Sequence, residues 1–144
     1  MEIYINQRRP CYQGNDKEIV SEEKGCKHVG INDQSHEIRQ FHVDGDIIKS
    51  GTEESRCDYL VVNDTAKRAY FIELKRSHVK KATRQIDAII PMVKDLKGYA
   101  TFCRIVYRGH HDLTNTERIR WENKYHGRAK IGRTPFRESI CHDK

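Results

Sequence analysis

Two short apolar runs in close succession, CDYLVVND (residues 57–64) and AYFIELK (69–75), constrain this chain more than any other feature. Each is rich in β-branched and aromatic residues, and the charged, turn-prone segment 64–68 separates them, so they read as adjacent strands of a hairpin. Both are apolar at successive positions, as central strands covered on two faces are, which predicts a helix packed on each side. Three ionisable groups interrupt them: Asp58, Glu73 and Lys75. Strand side chains two apart share a face, so Phe71, Glu73 and Lys75 point one way and Tyr70, Ile72 and Leu74 the other. A buried acid or base is costly alone and tolerable when paired, solvated in a cleft or bound to a cation. In an antiparallel hairpin the start of one strand lies against the end of the other, which brings Asp58 near Glu73 and Lys75. Two carboxylates so placed would hold a hard divalent cation through oxygen, and magnesium suits such a site because phosphate and water supply its other ligands.

The flanking pattern predicts an α/β chain. EIRQFHVDGDII (37–48) alternates and carries Asp44-Gly45, a strand with a turn or bulge, and SGTEES follows as a loop. From 78 to 97 the apolar residues Val79, Ala82, Ile86, Ile89, Val93 and Leu96 recur at helical spacing, with Pro91 set to kink or divide the helix. A further strand is expected in YATFCRIVYRG (99–109), and a short helix in TNTERIRWENKY, capped by Thr114 or Asn115. Residues 13–35 have poor periodicity and allow one short helix around 18–23, while the last twenty residues read as basic and mostly irregular.

A length of 144 residues with 36% hydrophobic content fits one core, hence one domain over 1–144 with a basic extension from about residue 109. No run is long and apolar enough to span a bilayer and the start lacks a signal-peptide stretch, so a cytoplasmic protein without a membrane partner is expected. Five widely spaced cysteines without a C-x-x-C pair read as reduced thiols; Cys11, Cys26 and His28 are partial zinc ligands that lack a fourth. The net charge of +6 is uneven: residues 1–96 hold 16 basic and 16 acidic side chains, residues 97–144 hold 11 and 5. That surplus suits a phosphate backbone, and equally a solvated tail. Trp121 and Tyr125, four apart, could stack on bases or pack inward, and the basic residues around them, Arg118, Arg120, Lys124, Arg128, Lys130, Arg133 and Arg137, favour nucleic-acid contact. His78 reads as a capping or exposed histidine, and His110-His111 as loop rather than a metal pair.

Asp58, fourteen residues, then Glu73-Leu74-Lys75, in this order of elements, resembles the PD-(D/E)xK nuclease superfamily over residues 37–107. The resemblance implies an αβββαβ restriction-endonuclease-like core, a central mixed sheet flanked by helices, and a magnesium-dependent nuclease, with manganese able to substitute and DNA as the nucleic-acid partner. It makes Asp58, Glu73 and the Leu74 carbonyl the metal ligands, Lys75 the catalytic lysine and Gln85, on the following helix, an auxiliary residue. Arg76, Lys80, Arg84, Arg118, Lys124, Arg128, Lys130 and Arg133 are then the candidate nucleic-acid contacts. Many members add a glutamate from the first helix, for which Glu22 or Glu23 and then Glu18 are the candidates. Two positions depart from the pattern: Cys57 precedes Asp58 in place of proline, and Arg76 stands where relatives have glycine. The competing expectation is a catalytically inactive module that keeps the fold and binds nucleic acid or a protein partner; a homodimer or a subunit of a larger nuclease is also compatible with so small a chain.

Overall fold

The hairpin forms the middle of a six-stranded mixed sheet in the computed structural model, which describes residues 1–48 and 57–143. The strands are β1 (Tyr12–Gly14), β4 (Ile38–His42), β5 (Tyr59–Asn63), β6 (Arg68–Lys75), β7 (Ala100–Tyr107) and β8 (Ala129–Arg133), side by side in the order β1-β4-β5-β6-β7-β8. Pairing is antiparallel from β1 to β6, with Tyr59 opposite Ile72, and parallel from β6 through β7 to β8. The parallel step from β6 to β7 is made through α1 (Val79–Ile89), as a parallel crossover requires. The loop expected at 50–55 lies outside the described residues.

The two faces of the sheet are covered differently. On one face α1 lays Val79, Ala82, Ile86 and Ile89 over Leu60, Phe71 and Ile105, joined by Trp121 from α2 (Asn115–Lys124). The other face is covered by a second sheet of three strands and not by a helix: β2 (Glu18–Glu23), β3 (Cys26–Ile31) and β9 (Phe136–Ser139), in the order β2-β3-β9. Ile19, Cys26 and Ile140 pack there against Val61, Tyr70, Ile72, Leu74 and Val106. Residues 18–23 are therefore strand, and the leading helix of an αβββαβ core has no counterpart there. The run β4-β5-β6-α1-β7 does follow the remaining βββαβ order. The last twenty residues supply β8 and β9 and so complete both sheets, where an irregular tail was expected.

Local chemistry explains the helix limits. The α1 helix stops at Ile89 and Pro91 sits in a single 3-10 turn, so the break expected at Pro91 is present, and the residues after that turn, expected as a further helical part to 97, are not helical. Its first turn receives a cap from elsewhere, the Lys80 N–H donating to Asp112 Oδ1 at 2.9 Å. Thr114 caps α2 through a reciprocal box: Glu117 N–H donates to Thr114 Oγ1 at 3.1 Å and Thr114 N–H to Glu117 Oε1 at 3.0 Å.

The two sheets are tied by a buried polar trio. Arg104 on β7 is 3% exposed and donates Nε and Nη2 to the Glu138 carboxylate of β9 at 2.7 and 3.0 Å, while His28 Nε2 lies 2.7 Å from the same acid. Burial works to raise the Glu138 pKa, but the His28 and Arg104 hydrogen bonds and the arginine's charge outweigh it and hold the carboxyl at about 2. A depressed folded-state pKa stabilises the protein above the ordinary value of 4.5, and that contribution fades as pH falls toward about 2. Breaking a buried pair by removing one partner costs about 3–5 kcal/mol. Glu138→Ala is expected to lose about 3 kcal/mol in urea unfolding at pH 7, in keeping with that range; a loss below about 1 kcal/mol would put the trio's role in doubt.

Candidate metal centre

The β5/β6 register carries Asp58, one residue before β5, to the position opposite Glu73. Its backbone N–H donates to Ile72 O at 3.0 Å, and its Oδ2 accepts from Leu74 N–H at 2.8 Å, so the side chain takes over the ladder bond that a further strand residue would have made. Glu73, 2% exposed, has Lys75 Nζ 3.2 Å from its Oε2. Asp58 thus meets Glu73 through a side-chain hydrogen bond, and Glu73 meets Lys75.

Two further segments converge on Asp58. The β2-β3 hairpin, whose tip is Lys24-Gly25, brings Glu23 and Lys24; the turn after β4 brings Asp44. One carboxylate oxygen each from Glu23, Asp44 and Asp58 lie within 4.8 Å of one another, the single such group of potential metal ligands among the described residues. Lys24 Nζ donates to Asp58 Oδ1 and Oδ2 at 3.2 and 3.3 Å and to Leu74 O at 3.3 Å. Oxygen donors of this kind suit a hard cation; Asp58 and the Leu74 carbonyl share the Lys24 ammonium, which also lies 3.8 Å from Glu23 Oε2, while Glu73 stands outside the Glu23–Asp44–Asp58 group.

Electrostatics show how crowded the acids are. Burial, and then the charge of Asp58, push the Glu73 carboxyl up to about 8 against the opposing effect of Lys75 and Lys24. Glu23 is raised as well, by burial and by a hydrogen bond shared with Asp58, although His42 Nε2 lies 2.9 Å from its Oε1.

Of the glutamates considered for the added ligand, Glu23 is in the site, arriving on a strand and not on a helix. Glu22 is exposed, and Glu18 pairs with Arg137 at 2.9 Å at the far end of β2. Gln85 lies on α1 with a buried Oε1 that has no hydrogen-bond partner among the described residues. Lys24 and Asp44 went unrecognised. Lys-Gly is not among the dipeptides that mark a two-residue hairpin, and the pattern at Asp44-Gly45 signals a turn and nothing about its side chain. The cysteine-histidine reading does not survive: Cys26 Sγ donates to Lys75 O at 3.3 Å, His28 serves Glu138, and Cys11 is exposed beside Gln40.

The basic candidates divide between surfaces. Arg76 and Lys80 are exposed just beyond Lys75, and Lys80, Arg84, Arg120 and Lys124 line a groove of about 440 Å3 between α1 and α2. Arg118 lies 3.9 Å from Glu122 on the surface of α2. Arg128 and Lys130 instead face a cleft of about 600 Å3 beside β9, with Arg68, Arg104 and Arg137, and Arg133 donates to Gly109 O at 2.6 Å. Trp121 does not offer a stacking face: it is buried, its Nε1 donates to Asp87 at 2.9 Å, and Tyr125 bonds the same carboxylate. No helix among the described residues is long and apolar enough to cross a membrane.

No protein-family model, curated protein or solved structure matches the chain at a significant level.

An acid whose folded pKa is raised stabilises the fold below its ordinary value of 4.5 and loses that contribution as pH rises through about 8. The metal-free protein is expected to melt at progressively lower temperature from pH 5 to 8 in the presence of chelator, and Glu73→Gln to flatten that decline. A melting temperature independent of pH in wild type, or an undiminished slope in the variant, would contradict the assignment.

Proposed function

We propose that the chain is a divalent-metal-dependent nuclease of the PD-(D/E)xK type that hydrolyses phosphodiester bonds, with DNA as the substrate that the resemblance indicates. The observation that carries this reading is the union of Asp58, Glu73 with its Lys75, and the Leu74 carbonyl at one end of a hairpin, where Asp58 and Leu74 O already accept from the Lys24 ammonium. A cation held by Asp58, Glu73 and the Leu74 carbonyl would supply charge neutralisation at the phosphate and a water of lowered pKa. Lys75, held against Glu73, is placed to orient the attacking water and to offset negative charge as it develops. Arg76, exposed at the same end, would meet a phosphate flanking the scissile bond, and Lys80, which pairs with Glu117 at 2.8 Å, would exchange that partner for phosphate in the groove between α1 and α2. Gln85 is assigned an auxiliary role from the same helix. The five free cysteines suit the reducing cytoplasm in which this activity is placed.

The second reading, an inactive module that binds nucleic acid or a protein partner, draws support from Lys24, whose ammonium stands on Asp58 and Leu74 O. Incubation with single- and double-stranded DNA and RNA, with and without magnesium or manganese, separates the two. The nuclease reading expects metal-dependent cleavage that falls on the order of a hundredfold or more in Lys75→Ala, with the fold retained. Intact substrates under every condition, together with tight metal-free binding, would transfer the assignment to the inactive module.

A further inference from the structure

We infer that Lys24 is a tethered cation that holds the metal position in the resting protein and must be displaced before a divalent ion can enter; the inference rests on the metal-dependent reading of the site. Its ammonium contacts both oxygens of Asp58 and the carbonyl of Leu74, two of the three groups assigned to the metal, and lies 3.8 Å from Glu23 Oε2. A lysine ammonium and a divalent ion cannot share those oxygens, since each draws on the same lone pairs and repels the other.

The hairpin that carries Lys24 is built to deliver it there. Glu23 pairs with Cys26, so Lys24 and Gly25 form a two-residue loop, with φ of 56° and 74°. Such loops favour Asn-Gly, and positive φ is costly for a residue with a Cβ, so lysine at the first position needs compensation that its contacts with Asp58 and Leu74 O provide. The loop is fixed at its base: Cys26 Sγ donates to Lys75 O at 3.3 Å, and Gln40 Nε2 donates to Val20 O at 2.8 Å and to Ser21 Oγ at 2.9 Å. The backbone stays, then, and the side chain, 38% exposed, is the part free to swing into solvent. Lys75 differs: it contacts Glu73 from two residues along the same strand and leaves Asp58 and Leu74 O to the incoming ion.

Calorimetric titration of the full chain with manganese, and separately magnesium, tests this directly. Lys24→Met removes the charge and keeps the stem, Lys24→Gln keeps a hydrogen-bond donor should the first variant fold poorly, and Arg108→Gln removes a neighbouring cation that lies beside Gly25. Both Lys24 variants are expected to bind the metal at least about tenfold more tightly than wild type, and Arg108→Gln to stay within about twofold, because contact with the ligand atoms and not general charge sets the competition. Lys24 variants that bind no tighter, or an Arg108 variant that gains as much, would overturn the inference while leaving a metal-dependent site in place. Absence of binding in wild type and in all variants would overturn the metal-dependent reading itself, and the inference with it.

Discussion

The arrangement at the Asp58 end of the β5/β6 hairpin follows from buried carboxylates facing one another there. Asp58 and Glu73 are 1% and 2% exposed, and neither can be accommodated there as an isolated anion. The chain answers with a main-chain donor from Leu74, with Lys75 two residues along the same strand, and with Lys24 carried in by a separate hairpin. It also leaves Glu73 readily protonated, so that charge is absorbed by a proton when no cation is present. In the metal-dependent reading proposed above, a divalent ion would take the place of that proton and of the lysine contact.

The rest of the fold serves to hold these groups in register. The parallel β6-α1-β7 unit fixes the strand that bears Glu73 and Lys75, and α1 rises directly beyond it with Gln85 and Arg84. The small sheet braces the opposite face and positions the Lys24 turn. Its third strand comes from the chain's end and is anchored by the Arg104–Glu138–His28 trio. Positive charge is consequently shared between two surfaces: the groove between the helices, close to where α1 follows β6, and the cleft beside β9.

The sequence made legible what local pattern dictates. The β5/β6 hairpin, α1, β7 and the Thr114 cap of α2 were readable from periodicity and end signals, and Asp58, Glu73 and Lys75 stood out because ionisable residues in apolar strands demand a reason. The second sheet was not readable. Its strands alternate weakly, Val20 being exposed, and β9 pairs in parallel with β3 across more than a hundred residues, a contact that no local pattern encodes. Apolar residues on both faces of β6 announced that both were covered without saying by what. Lys24 and Asp44 escaped because turn residues are read for backbone geometry, and their side chains acquire meaning only when three separate segments meet. Arg128 and Arg133 share one basic stretch of sequence with Arg118 and Lys124, but Arg128 precedes the edge strand β8 and Arg133 ends it, and both face other surroundings than the helix does.

The central claim is that Asp58, Glu73 and the Leu74 carbonyl together hold a divalent cation. Anomalous diffraction from a crystal of this protein soaked in manganese measures that most directly. The account predicts a strong peak about 2.0–2.3 Å from oxygens of those three residues, with the Lys24 ammonium withdrawn from Asp58. A peak confined to other surface carboxylates, or no peak with Lys24 still seated on Asp58, would contradict it.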